Sequence, residues 1–420
     1  MNNYDVLDIS LAPSGALKIA WVRDHMPLLH ALEDKLQALS PEERPLAGVK
    51  LSISIHMEAK TAYLCQVLAL AGATVAATGC NMLSTQDDVA AALAASGISV
   101  YAIHAESEAD YYRHIEMTLE HKPNLIIDDG GDLVNMLHTK RPDLAAEVWG
   151  GCEETTTGVI RLKAMQAEGK LRFPMVAVND ARMKHLFDNR YGTGQSVWDS
   201  IMHNTNLIVA SKTVVVAGYG WCGRGIAMRA AALGARVIIC EVDAVKAIEA
   251  RMDGHAVMTM ADAAPLGDIF ITATGCKDVI TTDHMQLMKD NVLLCNSGHF
   301  NVEVCVTELA ALAVSHHEAR ANIEAFVLPN GKRINIIAEG RLVNIAASNG
   351  HPAEIMDLSF AVQYHSVLYL LANHEQLEQQ VYDVSAEIDD LISKELLAAW
   401  GVTIDSLSPE QQEYLKSWQV

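Results

Sequence analysis

The sequence predicts an α/β protein of two doubly wound, Rossmann-like domains with a helical C-terminal extension. Three observations carry this. Apolar runs of strand length alternate with helical segments in two separate series; a glycine-rich turn, Gly218-Tyr219-Gly220-Trp221-Cys222-Gly223, follows one such run and opens a helix; and 420 residues exceed the size at which one hydrophobic core stops growing, ~250–300 residues.

In chain order, an N-terminal helical stretch precedes the strand-like runs VKLSISIH, TVAATG, SVYAI and NLIIDDGG, with helices read over TAYLCQVLALAGA and DDVAAALAASG. Such βαβ units build a parallel sheet. A second series begins near Lys212 with TVVVAGYG, a helix through Leu233, RVIICEVD, DIFITATG and NVLLCNSGH. Between the series, the glycines and aromatics of FDNRYGTGQSVWDSIMHN fit a hinge and a connecting helix. Past Asn344 the chain reads as helices, with a Gln/Glu-rich amphipathic end from about Asn373.

Composition narrows the function classes. Hydrophobic residues make up 50% and charged residues 20%, which describes a globular protein with an ample core. A formal net charge of -21 repels phosphate backbones and anionic lipids, so neither nucleic acid nor membrane partners are expected. The start, MNNYDVLDIS, has no basic n-region, and no apolar run reads as the ~18 residues of a spanning helix, so a cytoplasmic protein is expected. Eight scattered cysteines form no CxxC pair and read as reduced core thiols. Seventeen histidines raise the question of a metal, but there is no HExxH, HxxxH or Cys/His cluster in sequence, and no metal site is expected.

The glycine-rich turn stands in the context that gives it meaning. Gly218, Gly220 and Gly223 permit a tight turn and close approach of the backbone, and the helix opened by Trp221 and Cys222 directs its N-terminus at a pyrophosphate. Glu241 ends the next strand, 23 residues on from Gly218, where a carboxylate accepts hydrogen bonds from a ribose and repels a 2′-phosphate. The expected cofactor is NAD. A plain glycine turn between strand and helix is the bland alternative.

Polar residues at strand ends form a second pattern, because ligands of open α/β sheets gather at the carboxyl ends of the strands. His56 ends LSISI, Gln86 lies after TVAATG, and Asp129 ends NLII. Glu154, Lys184, Asp188, Asn189, His299 and His351 belong with them. Each alone also has a structural reading: a hydrogen-bonded core histidine, a helix cap, or a solvated ion pair such as Lys184 with Asp188 four residues on.

Taken together, IHMEAKTA (55–62), STQDD (84–88), DDGGDL (128–133), EETTTGV (153–159), FDNRYG (187–192), VAGYGWCGRG (216–225), TGC (274–276), CNSGHF (295–300), AEGRLVN (338–344) and GHP (350–352) closely resemble the S-adenosyl-L-homocysteine hydrolase family. The resemblance covers nearly the whole chain and points to its shorter, archaeal-type branch. It implies a substrate-binding domain over 1–190, an NAD-binding domain over 191–344, a return to the substrate domain over 345–385, an oligomerisation tail over 386–420, and a homotetramer that retains NAD through each cycle. It implies oxidation of the sugar at C3′, loss of the C4′ proton, elimination of homocysteine from C5′, addition of water and re-reduction, with no net redox change. The substrate is a small nucleoside thioether.

By the same resemblance Lys184 and Asp188 act on the 3′-hydroxyl, Asp129 is the base toward C4′, and His56 assists thiol departure and water addition. Glu154 and His299 hold the sugar. A lysine base needs a lowered pKa. Thr155, Thr156, Thr157, Asn189, Glu241, Lys246, Thr274, Asn296, Ser297, Asn344 and His351 match cofactor contacts. Glu58, Lys60, Thr61, Gln86, Asn349, His351, Met356 and Phe360 are expected around the purine and sugar. Trp221, Arg224, Thr193, Ser297 and Asn301 depart from the pattern of animal members without removing a catalytic group. Glu58 and Lys60 depart more tellingly: adenosyl-specific members carry threonine and glutamate there, and the exchanged polarity suits hypoxanthine. An S-inosyl substrate is therefore expected to be preferred, with the adenosyl compound accepted; pairing of Glu58 with Lys60 is the bland reading. An adenosyl-specific enzyme, a hydroxy-acid dehydrogenase and a non-catalytic NAD-binding protein are the competing functions, and thiol release without added NAD separates the last two from a hydrolase.

Overall fold

The computed structural model describes residues 3–418, so the first two residues of MNNYDVLDIS and the last two of the chain lie outside it. Sixteen strands lie among the described residues: β1 (Tyr4–Asp5), β2 (Lys50–Ser54), β3 (Thr74–Thr78), β4 (Ser99–Tyr101), β5 (Leu125–Asp128), β6 (Gly150–Glu153), β7 (Met175–Ala177), β8 (Thr213–Ala217), β9 (Arg236–Cys240), β10 (Ala256–Val257), β11 (Ile269–Thr272), β12 (Val292–Asn296), β13 (Ser315–Arg320), β14 (Ile323–Val327), β15 (Arg333–Ile337) and β16 (Val381–Asp383). They form two eight-stranded sheets, ordered β1-β4-β3-β2-β5-β6-β7-β16 and β10-β9-β8-β11-β12-β15-β14-β13.

Each sheet contains the doubly wound order in which the winding reverses beside the first strand of the unit. The reversal falls between β2 and β5 in the first sheet and between β8 and β11 in the second. The crevice at such a reversal is where ligands of this architecture bind. His56 and Asp129 follow β2 and β5; Gly218 and Thr274 follow β8 and β11.

Helices cover both faces of the first sheet, so its strands bury polar residues as well as apolar ones. Ser52 and Ser54 of β2 are as inaccessible as Leu51 and Ile53, and Ser52 donates its hydroxyl to the Thr118 carbonyl at 2.8 Å. The second sheet is parallel through β15, then ends in antiparallel β14 and β13. That hairpin departs from the all-parallel series read in the sequence. β13 is SHHEAR, exposed along its length, and carries no apolar run by which to recognise a strand. β16 is likewise an unanticipated strand, inside the helical extension, and it returns the chain to β7.

The long helix Ala353–Asn373 fills the first core with Leu358, Phe360, Val362, Val367 and Leu370. Glu354 and Asp357 interrupt its apolar run; against the expectation of no spanning-length segment, Ala353–Gln376 is long and apolar enough to cross a membrane, and 67% of its most apolar window is buried within the fold. Asp357 is used inside: its carboxylate accepts the backbone N–H groups of Leu28 and Leu29 at 2.8 and 2.9 Å, capping helix Pro27–Gln37. The next helix, Ala386–Ala399, buries Ile392 and Leu396 in the same core. Its Asp389 accepts from the Arg182 and Met183 amides, each at 2.9 Å, and so fixes the short helix that carries Lys184.

The chain passes between the two sheets' layers twice, through the π-helical turn Asp188–Gly192 and again near Asn344–His351. The helix after the first crossing, Thr193–Thr205, lies so close to Trp221–Ala232 that a Cβ on Gly194 would sit 2.6 Å from the Gly225 carbonyl oxygen.

Candidate active site

Two groups of buried polar side chains meet where the first sheet's reversal faces the second domain. The first is His56, Cys80, Asp129 and His299. His56 Nδ1 lies 3.2 Å from Cys80 Sγ, and His56 Nε2 lies 3.6 Å from Asp129 Oδ2. His299 arrives from the second domain with Nδ1 3.6 Å from Asp129 Oδ1. The approach needs Gly130, whose φ is +103° and whose missing Cβ would lie 2.1 Å from His299 Nε2.

Burial, with His299, His351 and Lys60 adding to it, holds His56 well below the ordinary imidazole range, and burial pushes His299 down to about 4. Both rings are neutral at physiological pH. Burial, then the Glu154 carboxylate, holds Asp129 well above the usual carboxylate range. Asp129 Oδ1 is buried without a hydrogen-bond partner, which leaves it free for a donor brought by a ligand. His56, Cys80 and Asp129 also present ligand atoms within 4.8 Å of one another, a grouping invisible in linear sequence, where they stand far apart.

The second group surrounds Lys184. Its ammonium donates to Asn189 Oδ1 at 2.9 Å, Asp188 Oδ1 at 3.1 Å and Asn179 Oδ1 at 3.4 Å, and lies 3.5 Å from Glu154 Oε1. Burial favours the neutral amine, but Asp188 and Glu154 outweigh it and raise the lysine pKa. The lowered pKa expected of a free base is therefore absent: the buried carboxylates keep Lys184 an ammonium. Burial raises Glu154 to about 7 against the opposing pull of Lys184, and Glu154 Oε2 accepts from Gln363 Nε2 at 2.5 Å. Asp188 is held low; burial opposes this, but Lys184 and His351 prevail, and Ser359 donates to its Oδ2 at 2.8 Å.

The dinucleotide turn has the shape its motif requires. Gly218 adopts φ +95°, a Cβ on Gly220 would meet nothing within 4 Å, and one on Gly223 would lie 2.0 Å from the Gly218 carbonyl oxygen. Helix Trp221–Ala232 has no side-chain cap, so its leading amides face open space. Glu241 stands at the end of β9, where its carboxylate accepts the amides of Tyr219, Val242 and Asp243. Ser297 Oγ and Asn344 Oδ1 are buried without partners. An open glycine cradle, a bare helix N-terminus and two orphaned polar atoms fit a dinucleotide.

Other expected contacts are differently engaged. Thr155 caps helix Thr156–Ala167, while a Cβ on Gly275 would lie 3.9 Å from Thr157 Oγ1. Asn189 Nδ2 reaches Thr156 Oγ1 at 3.5 Å. Asn296 uses its whole side chain to fold the loop that carries His299, accepting from Gly298 N and donating to the carbonyls of Phe300 and Gly340. Thr274 donates its amide and hydroxyl to Glu303. Lys246 lies outside the cleft beside Asp243, at 3.8 Å. Trp221 stacks on the Arg224 guanidinium at 4.7 Å and meets the His185 ring across the domain boundary at 5.4 Å. Cys222 Sγ receives the Thr193 hydroxyl at 3.6 Å, and Thr193 Oγ1 is 3.1 Å from His351 Nε2.

Beside His351 opens a cavity of about 510 Å³ lined by Glu58, Lys60, Gln86, Ser196, Asn349 and Trp21 among others. Glu58 and Lys60 are both buried; they pair at 2.7 Å, and Lys60 Nζ also donates to the Asn349 carbonyl at 2.9 Å. Gln86 Oε1 accepts from Lys18 at 3.0 Å. Thr61 is buried with its hydroxyl unpartnered. Phe360 is wholly inside the first core and Met356 nearly so, shaping the site from behind.

Cys80, Glu153, Asn179, Ser359 and Gln363 also belong to the site, beyond those expected from the sequence. The doubled acid Glu153-Glu154 at a strand end was the one visible signal; Ser359 and Gln363 lie in the middle of a long helix and bear no local mark.

Two ligand crevices, one a dinucleotide cradle and the other lined with buried acids, lysine and neutral histidines, define a two-domain NAD-binding enzyme. The family model described as "S-adenosyl-L-homocysteine hydrolase" matches residues 3–145, and that described as "S-adenosyl-L-homocysteine hydrolase, NAD binding domain" matches residues 189–350. An adenosylhomocysteinase of Pyrococcus abyssi is 52% identical over 418 residues, spanning 100% of this chain and 98% of the relative. An S-inosyl-L-homocysteine hydrolase of Methanocaldococcus jannaschii is also 52% identical, over 99% of each chain. A Thermotoga maritima adenosylhomocysteinase is 53% identical over 97% of this chain and 100% of its own. The chain belongs to the S-adenosyl-L-homocysteine hydrolase family, as a hydrolase with NAD as cofactor.

Proposed function

We propose that this hydrolase prefers S-inosyl-L-homocysteine and accepts S-adenosyl-L-homocysteine, releasing L-homocysteine and the nucleoside in a reversible reaction. The observation that carries the preference is the Glu58–Lys60 pair. The two do bond to each other at 2.7 Å, but on the wall of the cavity beside His351 rather than in solvent. Lys60 has one N–H left beyond Glu58 and Asn349, and among the described residues Glu58 Oε1 has no hydrogen-bond partner. Hypoxanthine presents an N1–H donor to a carboxylate and an O6 acceptor to an ammonium. Adenine presents the reverse, so its amino group faces Lys60 unpaired, at a cost of about 1–3 kcal/mol or more for a charged group.

Bound NAD supplies reversible oxidation at C3′ of the sugar; the groove around Gly218, Gly220 and Asn344 supports its placement. Lys184 receives the 3′-hydroxyl in place of Asn179 and relays its proton. Glu154, titrating near neutrality 3.5 Å away, is the acceptor within reach. Asp129 takes the C4′ proton: its raised pKa makes it a stronger base than an ordinary carboxylate, and its unpartnered Oδ1 is free to do so. The C5′–S bond then breaks and the sulfur receives a proton through His56; water adds at C5′ by the reverse path.

Comparing kcat/KM for the two substrates tests the preference. The inosyl compound is expected to win by tenfold or more, and Glu58→Thr with Lys60→Glu to reverse the order. A clear adenosyl preference in the parent overturns the assignment.

A further inference from the structure

Two carboxylates stand behind the two that face the cleft. β5 and β6 pair in register, Asp128 beside Glu153, and each is followed by a site acid, Asp129 or Glu154. Asp128 and Glu153 are both fully inaccessible. Among the described residues neither has a cation within ion-pair distance: Lys184 serves Glu154 and Asp188, and Arg161 serves Asp132 at 2.8 Å. Two adjacent buried carboxylates without a counter-ion do not both ionise.

Hydrogen bonds say which one holds the proton. Both oxygens of Asp128 accept backbone amides, Oδ1 from Asp129 at 3.0 Å and Oδ2 from Val134 at 2.8 Å. Glu153 accepts on one oxygen alone. Its Oε1 takes the amides of Gly130 and Thr155 and the Thr155 hydroxyl, each at 2.9 Å, while Oε2 is buried with no partner. Gly158 seals the carboxyl in place, since a Cβ there would lie 2.0 Å from Glu153 Cδ. One side chain thereby ties the loop of Asp129 and Gly130 to the first turn of helix Thr156–Ala167, from which Thr156 reaches Asn189.

We propose that Glu153 is an uncharged carboxylic acid that positions the Asp129–Gly131 loop and the start of the neighbouring helix, with its proton on Oε2. The proposal rests on the reading of Asp129 as the base toward C4′. The groups facing Glu153 are Asp128 and Asp129, with Asp132 and Arg161 beyond Asp128. Burial together with Asp128 acts in the same direction, holding Glu153 well above the carboxylate range.

The test compares Glu153→Gln, Glu153→Ala and Asp129→Asn in the full-length, NAD-loaded enzyme, by kcat, KM, bound NAD and activity from pH 6 to 9. Glutamine keeps the accepting carbonyl and replaces O–H with an uncharged NH2 group. Glu153→Gln is therefore expected within about threefold of the parent in kcat, with a superimposable pH profile. Glu153→Ala is expected to lose 30-fold or more in kcat with KM little changed. A glutamine variant as impaired as alanine, or one whose profile loses a limb, overturns the uncharged assignment. An alanine variant at parental kcat overturns positioning. Should the alanine variant not fold, Gly158→Ala, which displaces the same carboxyl, replaces it with the same expectation and the same overturning result. An active Asp129→Asn enzyme fails the underlying reading instead.

Discussion

At the scale of single residues, the site is a set of acids and histidines whose environments oppose their ordinary charge states. Exclusion of water holds His56 well below the ordinary imidazole range and His299 down to about 4, toward the neutral form of each ring. In the role proposed for it Asp129 must be ionised to accept a proton, and its raised pKa means that this form is lost as pH falls. The acid limb of kcat/KM is thus expected above the usual carboxylate range, belonging to Asp129 and Glu154 rather than to histidine. A limb that persists unchanged in Glu154→Gln and fits an ordinary carboxylate speaks against this. Lys184→Ala is expected to cost 100-fold or more in turnover, of the order seen for lost acid–base groups, while NAD remains bound. Near-parental turnover would remove Lys184 from the relay.

At the scale of elements, strand ends decide where chemistry is. His56 and Asp129 are legible because β2 and β5 are apolar runs that stop at a polar residue, and the dinucleotide turn because its glycines follow β8. β6 is Gly-Gly-Cys-Glu, without a β-branched residue, and its strand character comes from pairing between β5 and β7 rather than from its own composition. The charge state of Lys184 was illegible for a related reason: Asp188 is four residues away, but Glu154 and Asn179 reach it through the fold. Pairing of Glu58 with Lys60 was foreseen as an alternative, whereas the Asn349 carbonyl that completes it comes from the far end of the chain. Gly130→Ala tests the strand-end loop. A methyl group 2.1 Å from His299 Nε2, on backbone at φ +103°, is expected to lower kcat 100-fold or more with bound NAD unchanged, read as kcat against cofactor content after gel filtration. Parental kcat would show that the loop yields without consequence.

At the scale of the whole molecule, the C-terminal segment leaves large apolar side chains exposed. Trp400, Ile404, Leu415 and Trp418 are exposed by 57%, 68%, 67% and 89%. We propose that they are covered on association, in a homotetramer. Light scattering after size exclusion is expected to give about four times the 45.6 kDa chain, and a chain ending at Ala399 a smaller species. A monomeric parent would overturn the expectation.

The two crossings between the sheets converge on a single carboxylate oxygen. Asp188 belongs to the first and His351 to the second, and they meet at 3.5 Å inside the site. That oxygen, Asp188 Oδ1, also receives the Lys184 ammonium at 3.1 Å, so a displacement of either crossing is felt at the carboxylate that keeps Lys184 charged.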